Sequence, residues 1–439
     1  MNPQEAPVSG CSFHQLPADS TPLTPSLRFA AWRDAGPATP LEYQDGHVGL
    51  VVTRYDAARA VLGDPRFSQV PHRMPCGPAP DPAEGGTPDH DPDPAAPPAP
   101  PPTPPLDDAA RRSIDAANLL ALDGDVHQRM RRGVTGRFSA KQVRGREPEV
   151  HASVERQLEH LRSTGGPVDL FAEYAQPIAA RTHCSVIGVH EDLVPEFSRH
   201  FVRGTTTQER FDFIRRVVDR RAADPGEDVI TDLLASDFSR EELEGLVFQL
   251  MSAGHDSVAY LIATATVALL THPDQLERLR ADPARVAPAI EEFMRTGAMF
   301  LTLFPRTATE DLEIEGVAVR AGQTVSVSPV GANRDPRRFE DPERFDVDRD
   351  AFGHLGFGHG PHGCIGQQLA RLEIRLAITR LLTGLPGLRL VDAEQLRPLP
   401  FANPVATYEA GAVVVAWDRA RDAEEPNTDR QSVSSIIVN

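Results

Sequence analysis

The stretch that most limits how this chain can fold is a ten-residue loop near its C-terminal end, Phe357 to Gly366, with the sequence FGHGPHGCIG. Four glycines and a proline in this loop exclude the interior of a regular helix or strand. The following residues, 367–382, place leucine and isoleucine near helical spacing and predict an amphipathic helix. Cys364 would then lie at a helix N-terminus, where free backbone N–H groups stabilise a thiolate, the form in which cysteine binds a soft metal.

This loop resembles the haem-binding loop of the cytochrome P450 superfamily, FGxGx[RH]xCxG, and most closely that of its soluble bacterial members. The resemblance implies that Cys364 is the proximal thiolate ligand of haem iron, the ligation that favours O–O cleavage. It also implies that Phe357 packs beside the sulfur and that Gly366 lets the helix approach the porphyrin. The matching residues are Phe357, Gly358, Gly360, His362, Cys364 and Gly366.

Two other interpretations of Cys364 stand beside this one. A lone cysteine is most often a buried structural residue, so the loop is compatible with a purely structural role. His359, His362 and Cys364 would alternatively form a small zinc site. Structural zinc sites usually need a fourth ligand at short spacing, and the sequence shows none.

Composition narrows the class of protein. The chain has 439 residues, of which 25% are charged and 40% hydrophobic, as expected for one large globular domain or two modest ones. We expect a cytoplasmic protein outside the membrane, because no apolar run reaches the roughly 18 residues of a membrane span and the N-terminus does not resemble a signal peptide. Four widely spaced cysteines suit a reducing compartment, and a net charge of −18 argues against nucleic-acid binding.

The resemblance covers roughly residues 25 to 418 and implies a mainly α fold with a small β subdomain. Haem would lie between a long central helix and the helix after Cys364. We expect a flexible N-terminal arm at 1–25, a single catalytic domain at 26–418 and a disordered tail at 419–439. Within the domain, residues 77–106 are rich in Pro, Ala and Asp and predict a disordered insertion, because they cannot bury enough apolar surface.

Several basic residues are candidates for binding the haem propionates. His127 and Arg131 are four positions apart and share a helix face. The resemblance places such a pair on the propionates, where two anions need charged donors; the alternative is a solvated basic helix. By the same resemblance, Arg306, His354 and His362 are further propionate partners.

The long central helix is predicted from a capping box at Ser239 and Glu242, followed by roughly thirty helix-compatible residues. In its middle, the sequence AGHDS is similar to the family's oxygen-binding kink, [AG]-G-x-[DE]-T. The family uses the small residues to make room for dioxygen and the acid–alcohol pair to guide protons. Ser257 stands where threonine is usual, and its rotamer is freer than that of a β-branched residue. The implied catalytic residues are Ala253, Gly254, Asp256 and Ser257.

Glu292 and Arg295 match the ExxR motif of the family, with the carboxylate and the guanidinium on one helix face. The resemblance implies an ion-pair network with the segment 333–336, through Arg334, that supports the cysteine loop. The motif is weak by itself, because chance matches are common. Its spacing to Arg306 and to the cysteine loop makes it specific.

The resemblance implies a haem b monooxygenase that receives electrons from a ferredoxin and a ferredoxin reductase, since no flavin or iron–sulfur motif occurs in the chain. Its substrate would be a secondary metabolite that is hydroxylated or oxidatively coupled. A short stretch where lid helices are expected, 196–221, favours a large, peptidic or carrier-bound substrate. The alternative is a catalytically silent haem-binding helper protein for a partner enzyme. Candidate docking residues for the redox partner are Arg129, Arg132, Arg371 and Arg375.

Overall fold

Several stretches named above lie outside the residues that the structure describes. They are most of the expected N-terminal arm at 1–25, almost all of the insertion at 77–106 and the tail at 419–439. The computed structural model of the chain describes residues 17, 19–43, 47–70, 106–392, 396–398 and 406–418.

Part of the expected N-terminal arm packs on the domain. Ser20 is fully buried, and Pro22 is buried beside it. The carbonyl of Pro22 accepts a hydrogen bond of 2.8 Å from the guanidinium of Arg334. The packed domain therefore begins before residue 26, the boundary that the sequence suggested.

The fold is mainly helical, as predicted. Helix starts follow local signals: Ser239 and Glu242 form a reciprocal capping box at the start of α11, and Gly366 precedes α16. The helices are α1 Leu27–Ala35, α2 Tyr55–Gly63, α3 Asp108–Ala116, α4 Gly124–Thr135, α5 Ala140–Gly145, α6 Glu147–Thr164, α7 Gln176–Ile187, α8 Val194–Phe197, α9 Thr207–Ala223, α10 Val229–Leu234, α11 Arg240–Ala253, α12 Asp256–Thr271, α13 Pro273–Ala281, α14 Val286–Thr296, α15 Pro329–Ala332 and α16 Gln367–Gly384.

The strands form small sheets, of which the largest has five strands in the order β1-β2-β9-β6-β3. β1 and β2 pair antiparallel, and β9 lies parallel to β2. This sheet carries Arg306 at the start of β6. The strands are β1 Ala38–Glu42, β2 Val48–Val52, β3 Phe67–Ser68, β4 Val168–Asp169, β5 Phe300–Thr302, β6 Arg306–Ala308, β7 Leu312–Ile314, β8 Val317–Val319, β9 Thr324–Val327, β10 Arg389–Asp392, β11 Leu396–Pro398, β12 Ala406–Ala410 and β13 Val414–Ala416.

The core is built around α12, whose residues from Val258 to Leu269 are all buried. α16, the helix that follows the cysteine loop, packs against α12, α6 and α14. The stretch Arg240–Thr271 is long and apolar enough to cross a membrane by length and composition alone, but 72% of its most apolar window is buried inside the protein. That burial is typical of a core helix, so the fold brings the central helix and the cysteine-loop helix together.

Candidate functional site

The cysteine loop folds back on itself through glycine conformations. Gly358 and Gly360 have φ of +68° and +72°, which residues with a side chain rarely adopt. A Cβ on Gly360 would also overlap the carbonyl oxygen of Leu62. The Cys364 N–H donates to the carbonyl of Phe357 at 2.8 Å, which closes the loop. Backbone atoms therefore surround the sulfur, as the glycine content indicated.

The Cys364 side chain is accessible although protein surrounds it. Its surface is exposed, yet burial raises the pKa of the thiol more than the N–H groups of Gly366 and Gln367 and the charges of Arg131 and Arg371 lower it. The side chain is therefore accessible to a small probe although protein atoms lie close around it. The N–H groups at the start of α16 do lower the pKa of the thiol, as expected, but desolvation raises it by more. A cation bound to the sulfur would displace the proton.

Two guanidiniums near this loop, those of Arg131 and Arg306, have no carboxylate within ion-pair distance among the described residues, although the charge of Asp123 acts on Arg306. Arg131 donates from Nη2 to the carbonyl of Gly363 at 2.5 Å. Arg306 donates from Nη1 to the carbonyl of Phe67 at 3.3 Å, and its buried Nε has no partner. Burial lowers the pKa of Arg131 and lowers that of Arg306 to about 10. Within the part of the chain that the structure describes, neither forms an ion pair. The two carboxylates of haem would equal them in number and carry the opposite charge.

His127 lies beside His362, and the two rings stack with centroids 4.0 Å apart. Nε2 of His362 is 2.8 Å from Oδ1 of Asp123. Although burial opposes its charge, Asp123 has a pKa well below the usual range because His362, Ser68 and the Gln69 N–H bond to it. Burial, followed by the charge of His362, lowers the pKa of His127 to about 4. His127 is therefore neutral near pH 7, and one nitrogen of His362 is taken by Asp123.

The structure corrects the role expected for His354. Its Nδ1 accepts from the Gly356 N–H at 3.0 Å, and its Nε2 lies 3.2 Å from Oε2 of Glu291. Both ring nitrogens are thus occupied by the protein, and 1% of the side chain is exposed. No nitrogen of His354 remains for a propionate.

Glu291 is a residue of this site that the sequence did not reveal. Besides His354, it receives two hydrogen bonds from Arg371, at 2.6 and 2.9 Å. Arg371 in turn lies over the ring of Phe357, with its guanidinium carbon 4.6 Å from the ring centroid. Glu291 precedes the ExxR glutamate and belongs to no motif, so no signal in a single sequence marks it. It connects α14, α16 and the cysteine loop.

The ExxR pair is fully buried. Arg295 donates two hydrogen bonds to Glu292, at 2.7 and 2.8 Å, and neither side chain is exposed. Arg295 also donates to the carbonyl of Asn333 at 2.9 Å. The Asn333 side chain accepts from the Leu355 N–H at 2.7 Å. The network therefore reaches the segment just before the cysteine loop.

Arg334, expected to complete that network, does not contact Glu292. Its guanidinium donates to the carbonyls of Pro22 and Thr296, and its Nε lies 3.3 Å from Glu343. The second cation near Glu292 is Arg349, at 3.4 Å. The expectation for Arg334 is thus corrected, because its side chain is directed to the N-terminal segment.

The AGHDS motif lies at a break in the central helix. The one long helix that the sequence predicted is observed as two: α11 ends at Ala253 and α12 begins at Asp256, at the place where the resemblance implied a kink. The Ser257 hydroxyl donates to the carbonyl of Ala253 at 3.2 Å. The side chain of Asp256 is 51% exposed, whereas His255 between them is buried. The acid and the alcohol therefore stand together on the accessible side of the break.

The zinc interpretation finds no support in the described residues. They contain no group of three or more His, Cys, Asp or Glu side chains that could hold a metal ion. Since a zinc site needs such a group, His359, His362 and Cys364 do not form one.

The predicted docking patch is largely compensated by acids. Arg129 pairs with Glu242, Arg371 with Glu291 and Arg375 with Glu147, each at 2.6 Å. Arg132 is exposed on α4, and among the described residues it has no ion pair. Arg132 is therefore the member of the patch whose charge is most available to a partner.

Comparison with known proteins shows the family to which the chain is similar. The family model for Cytochrome P450 matches residues 179–385. Cytochrome P450 105C1 of Streptomyces sp is 34% identical over 406 residues, 90% of this chain and 95% of that protein. The 6-deoxyerythronolide B hydroxylase of Saccharopolyspora erythraea is 33% identical over 401 residues, 87% of this chain and 94% of that protein. The crystal structure of P450BioI in complex with a hexadec-9Z-enoic acid ligated acyl carrier protein superposes with a TM-score of 0.73 and 26% identity, covering 89% of this chain and 97% of that one.

Proposed function

Because the chain belongs to the cytochrome P450 family of oxidoreductases, we propose that it is a haem-thiolate monooxygenase that hydroxylates a secondary metabolite. The observation that carries this is the accessible Cys364 thiol beside the Arg131 guanidinium, together with the buried Arg306; among the described residues neither arginine forms an ion pair. Haem b would bind there and, once bound, would supply the activation of dioxygen. Electrons would come from a ferredoxin and its reductase in the cytoplasm.

The protein's own groups would divide the work as follows. Cys364 would ligate the iron through Sγ, with Phe357 beside it and Gly366 leaving room for the porphyrin. Arg131, Arg306 and the neutral His127 would bind the propionates, with His362 held against His127 by Asp123. The bonds of Glu292 and Arg295, continued through Asn333 to Leu355, would hold the loop in place.

The residues at the helix break would transfer protons to the reaction site. Hydroxylation consumes one dioxygen, two electrons and two protons and yields the alcohol and one water. The Asp256 carboxylate, half-exposed, would take protons from solvent and pass them to the Ser257 hydroxyl. Ala253 and Gly254 would leave space beside that hydroxyl, because neither has a bulky side chain.

A carrier-bound substrate is the second candidate. Between α7 and α11 the described chain contains one helix longer than six residues, α9. A sparse cover would admit a large substrate, and one relative of similar fold is solved with an acyl carrier protein bound. The name of the hydroxylase relative supports a hydroxylation instead. Turnover of free and carrier-linked forms of one candidate acid would separate the two.

The first experiment is the carbon-monoxide difference spectrum of the reduced protein. Wild type is compared with Cys364→Ser and with Cys184→Ala, which removes the other described free cysteine, a buried one. We expect a strongly red-shifted Soret band in wild type and Cys184→Ala that Cys364→Ser lacks. An unshifted wild-type band would favour the silent helper protein, and a protein without haem would return Cys364 to a structural role.

A further inference from the structure

The break between α11 and α12 places the acid–alcohol pair. Gly254 and His255 join the two helices with φ of −98° and −110°. Asp256 and Ser257 follow at once, and Ser257 bonds back across the break to Ala253. Any group that fixes the shape of the break therefore fixes where the carboxylate and the hydroxyl stand.

His183, on α7, fills the break from the buried side. It is 3% exposed, and a Cβ on Gly254 would overlap three atoms of its ring. Its Nε2 lies 2.8 Å from the carbonyl oxygen of Leu250. In an uninterrupted helix that carbonyl would bond the N–H of residue 254. The imidazole thus occupies the place of a side chain at 254 and bonds the last turn of α11.

The rest of the buried face is aromatic. The rings of Phe197 and His255 are 6.3 and 6.4 Å from that of His183, and they meet each other edge to face at 5.3 Å. Nδ1 of His255 is 2.8 Å from Oδ1 of Asp256 but off the direction of a hydrogen bond. His183 therefore makes the directed bond that ties this wall to the helix.

We propose that His183 is a positioning residue for the monooxygenase reaction: its ring against Gly254 and its bond to Leu250 fix the helix break and, through it, Asp256 and Ser257. This rests on the proposed function, in which that pair passes protons. A looser break would deliver protons to the wrong oxygen. Dioxygen would then take two electrons and two protons and leave as hydrogen peroxide, and the substrate would stay unoxidised. Because the rotamer of Ser257 is freer than that of a threonine, the shape of the break matters more for the position of its hydroxyl.

The test compares three variants of the haem-loaded enzyme. His183→Leu removes the N–H donor, His183→Gln keeps one at similar reach, and Cys184→Ala trims the next residue of α7, which is also buried. Amide hydrogen exchange is followed over residues 250–258, and released peroxide is measured per NADPH consumed. Losing one hydrogen bond should speed exchange about fivefold and raise the peroxide share about twofold in His183→Leu. His183→Gln and Cys184→Ala should stay near wild type in both.

Three results would overturn the proposal. They are wild-type exchange and peroxide in His183→Leu, the same changes in Cys184→Ala, and no recovery in His183→Gln. Exchange needs no turnover, so it separates this proposal from the proposed function. A wild type without the red-shifted carbon-monoxide band would reject the function, whereas a normal band with unchanged exchange in His183→Leu would reject the role of His183 alone.

A second measurement applies if His183→Leu does not fold. Gly254→Ala should lower the melting temperature, because its new Cβ would overlap the His183 ring. The double variant Gly254→Ala/His183→Ala should melt above the single Gly254→Ala, since the overlap is gone. A double variant that melts at or below it would contradict the placement of the ring.

Discussion

Glu291 binds two side chains at once, those of Arg371 and His354, next to the cysteine loop. These contacts and the buried position of the carboxylate make it a strong anchor, and the hydrogen bonds of Arg371 and His354 lower its pKa to about 2 against the effect of burial. It stands one residue before the motif that a sequence search finds. Its importance is visible only from its partners.

Glu291→Gln should weaken that anchor. A neutral amide accepts weaker hydrogen bonds than a carboxylate, so we expect the free energy of unfolding to fall by about 1.5–3 kcal/mol and haem to be lost faster. Urea denaturation and haem transfer to apomyoglobin would measure the two effects. Glu147→Gln is the matched control, because Glu147 also pairs with an arginine of α16 but is 44% exposed. Equal losses in both variants would contradict a special role for Glu291.

His183 also predicts how stability depends on pH. Burial, followed by the charge of His255, lowers its pKa from 6.5 to about 3, although its bond to the Leu250 carbonyl opposes the shift. Between these values the unfolded chain binds a proton that the folded chain does not, so the free energy of unfolding falls as pH drops below 6.5.

His183→Gln cannot titrate and should flatten this dependence. The slope between pH 6.5 and 4 should decrease by at most about 1.4 kcal/mol per pH unit, the value for a single proton. Urea denaturation of both proteins at half-unit intervals would test it, with His151→Gln, at an exposed position, as the control. Parallel curves for wild type and His183→Gln would refute the assignment.

At the level of elements, boundaries were predictable where local residues set them. The capping box at Ser239 starts α11, and the helix predicted at 367–382 is observed as Gln367–Gly384. Strand β9 ends at Val327 because Pro329 begins a short helix, α15.

Long-range partners of the site were not predictable in the same way. Spacing brings Glu292 and Arg295 together, since residues three apart share a helix face. No local rule says where the long side chain of Arg334 reaches, nor that His354 bonds Glu291. His183 belongs to no motif, because its partner Gly254 lies on another helix. The cofactor loop and its support by Glu292 and Arg295 could be identified from one sequence, but the roles of Glu291 and His183 could not.

Arg295→Gln should be the most damaging change in the helix α14. It would leave the buried Glu292 carboxylate without its bidentate partner, which costs about 3–5 kcal/mol of unfolding free energy. Thermal or urea denaturation would measure the loss. Arg285→Gln, which breaks half-exposed pairs with Asp282 and Asp348, should cost less than about 1 kcal/mol. Similar costs for the two variants would show that burial does not set the strength of the ExxR pair.

At the scale of the whole molecule, the proposed docking of a ferredoxin by charge would need a local positive surface on an acidic chain. The net charge is −18, and most arginines of the predicted docking patch are already paired with glutamates. Arg132 is the exception. Electrostatic attraction of the redox partner to this patch would therefore depend mainly on Arg132.

Arg132→Glu should slow reduction by ferredoxin about threefold or more at low salt, and the difference should shrink as salt rises. Stopped-flow reduction under carbon monoxide would measure the rate. Arg28→Glu is the control, because Arg28 is exposed on α1, which packs against β1 and α15. A rate in Arg132→Glu that matches that of Arg28→Glu would place the docking surface elsewhere.

The proposed propionate-binding side chains and the Cys364 sulfur come from distant parts of the chain, and this has a consequence during synthesis. His127 is translated roughly 240 residues before Cys364, which corresponds to roughly 10–50 seconds at 5–20 residues per second. The Arg334 side chain that secures the N-terminal segment also emerges late. A ribosome-bound chain can therefore fold its early helices before Cys364 is made, but it cannot yet bind the prosthetic group. Binding of the cofactor must be among the last steps in the folding of each new molecule.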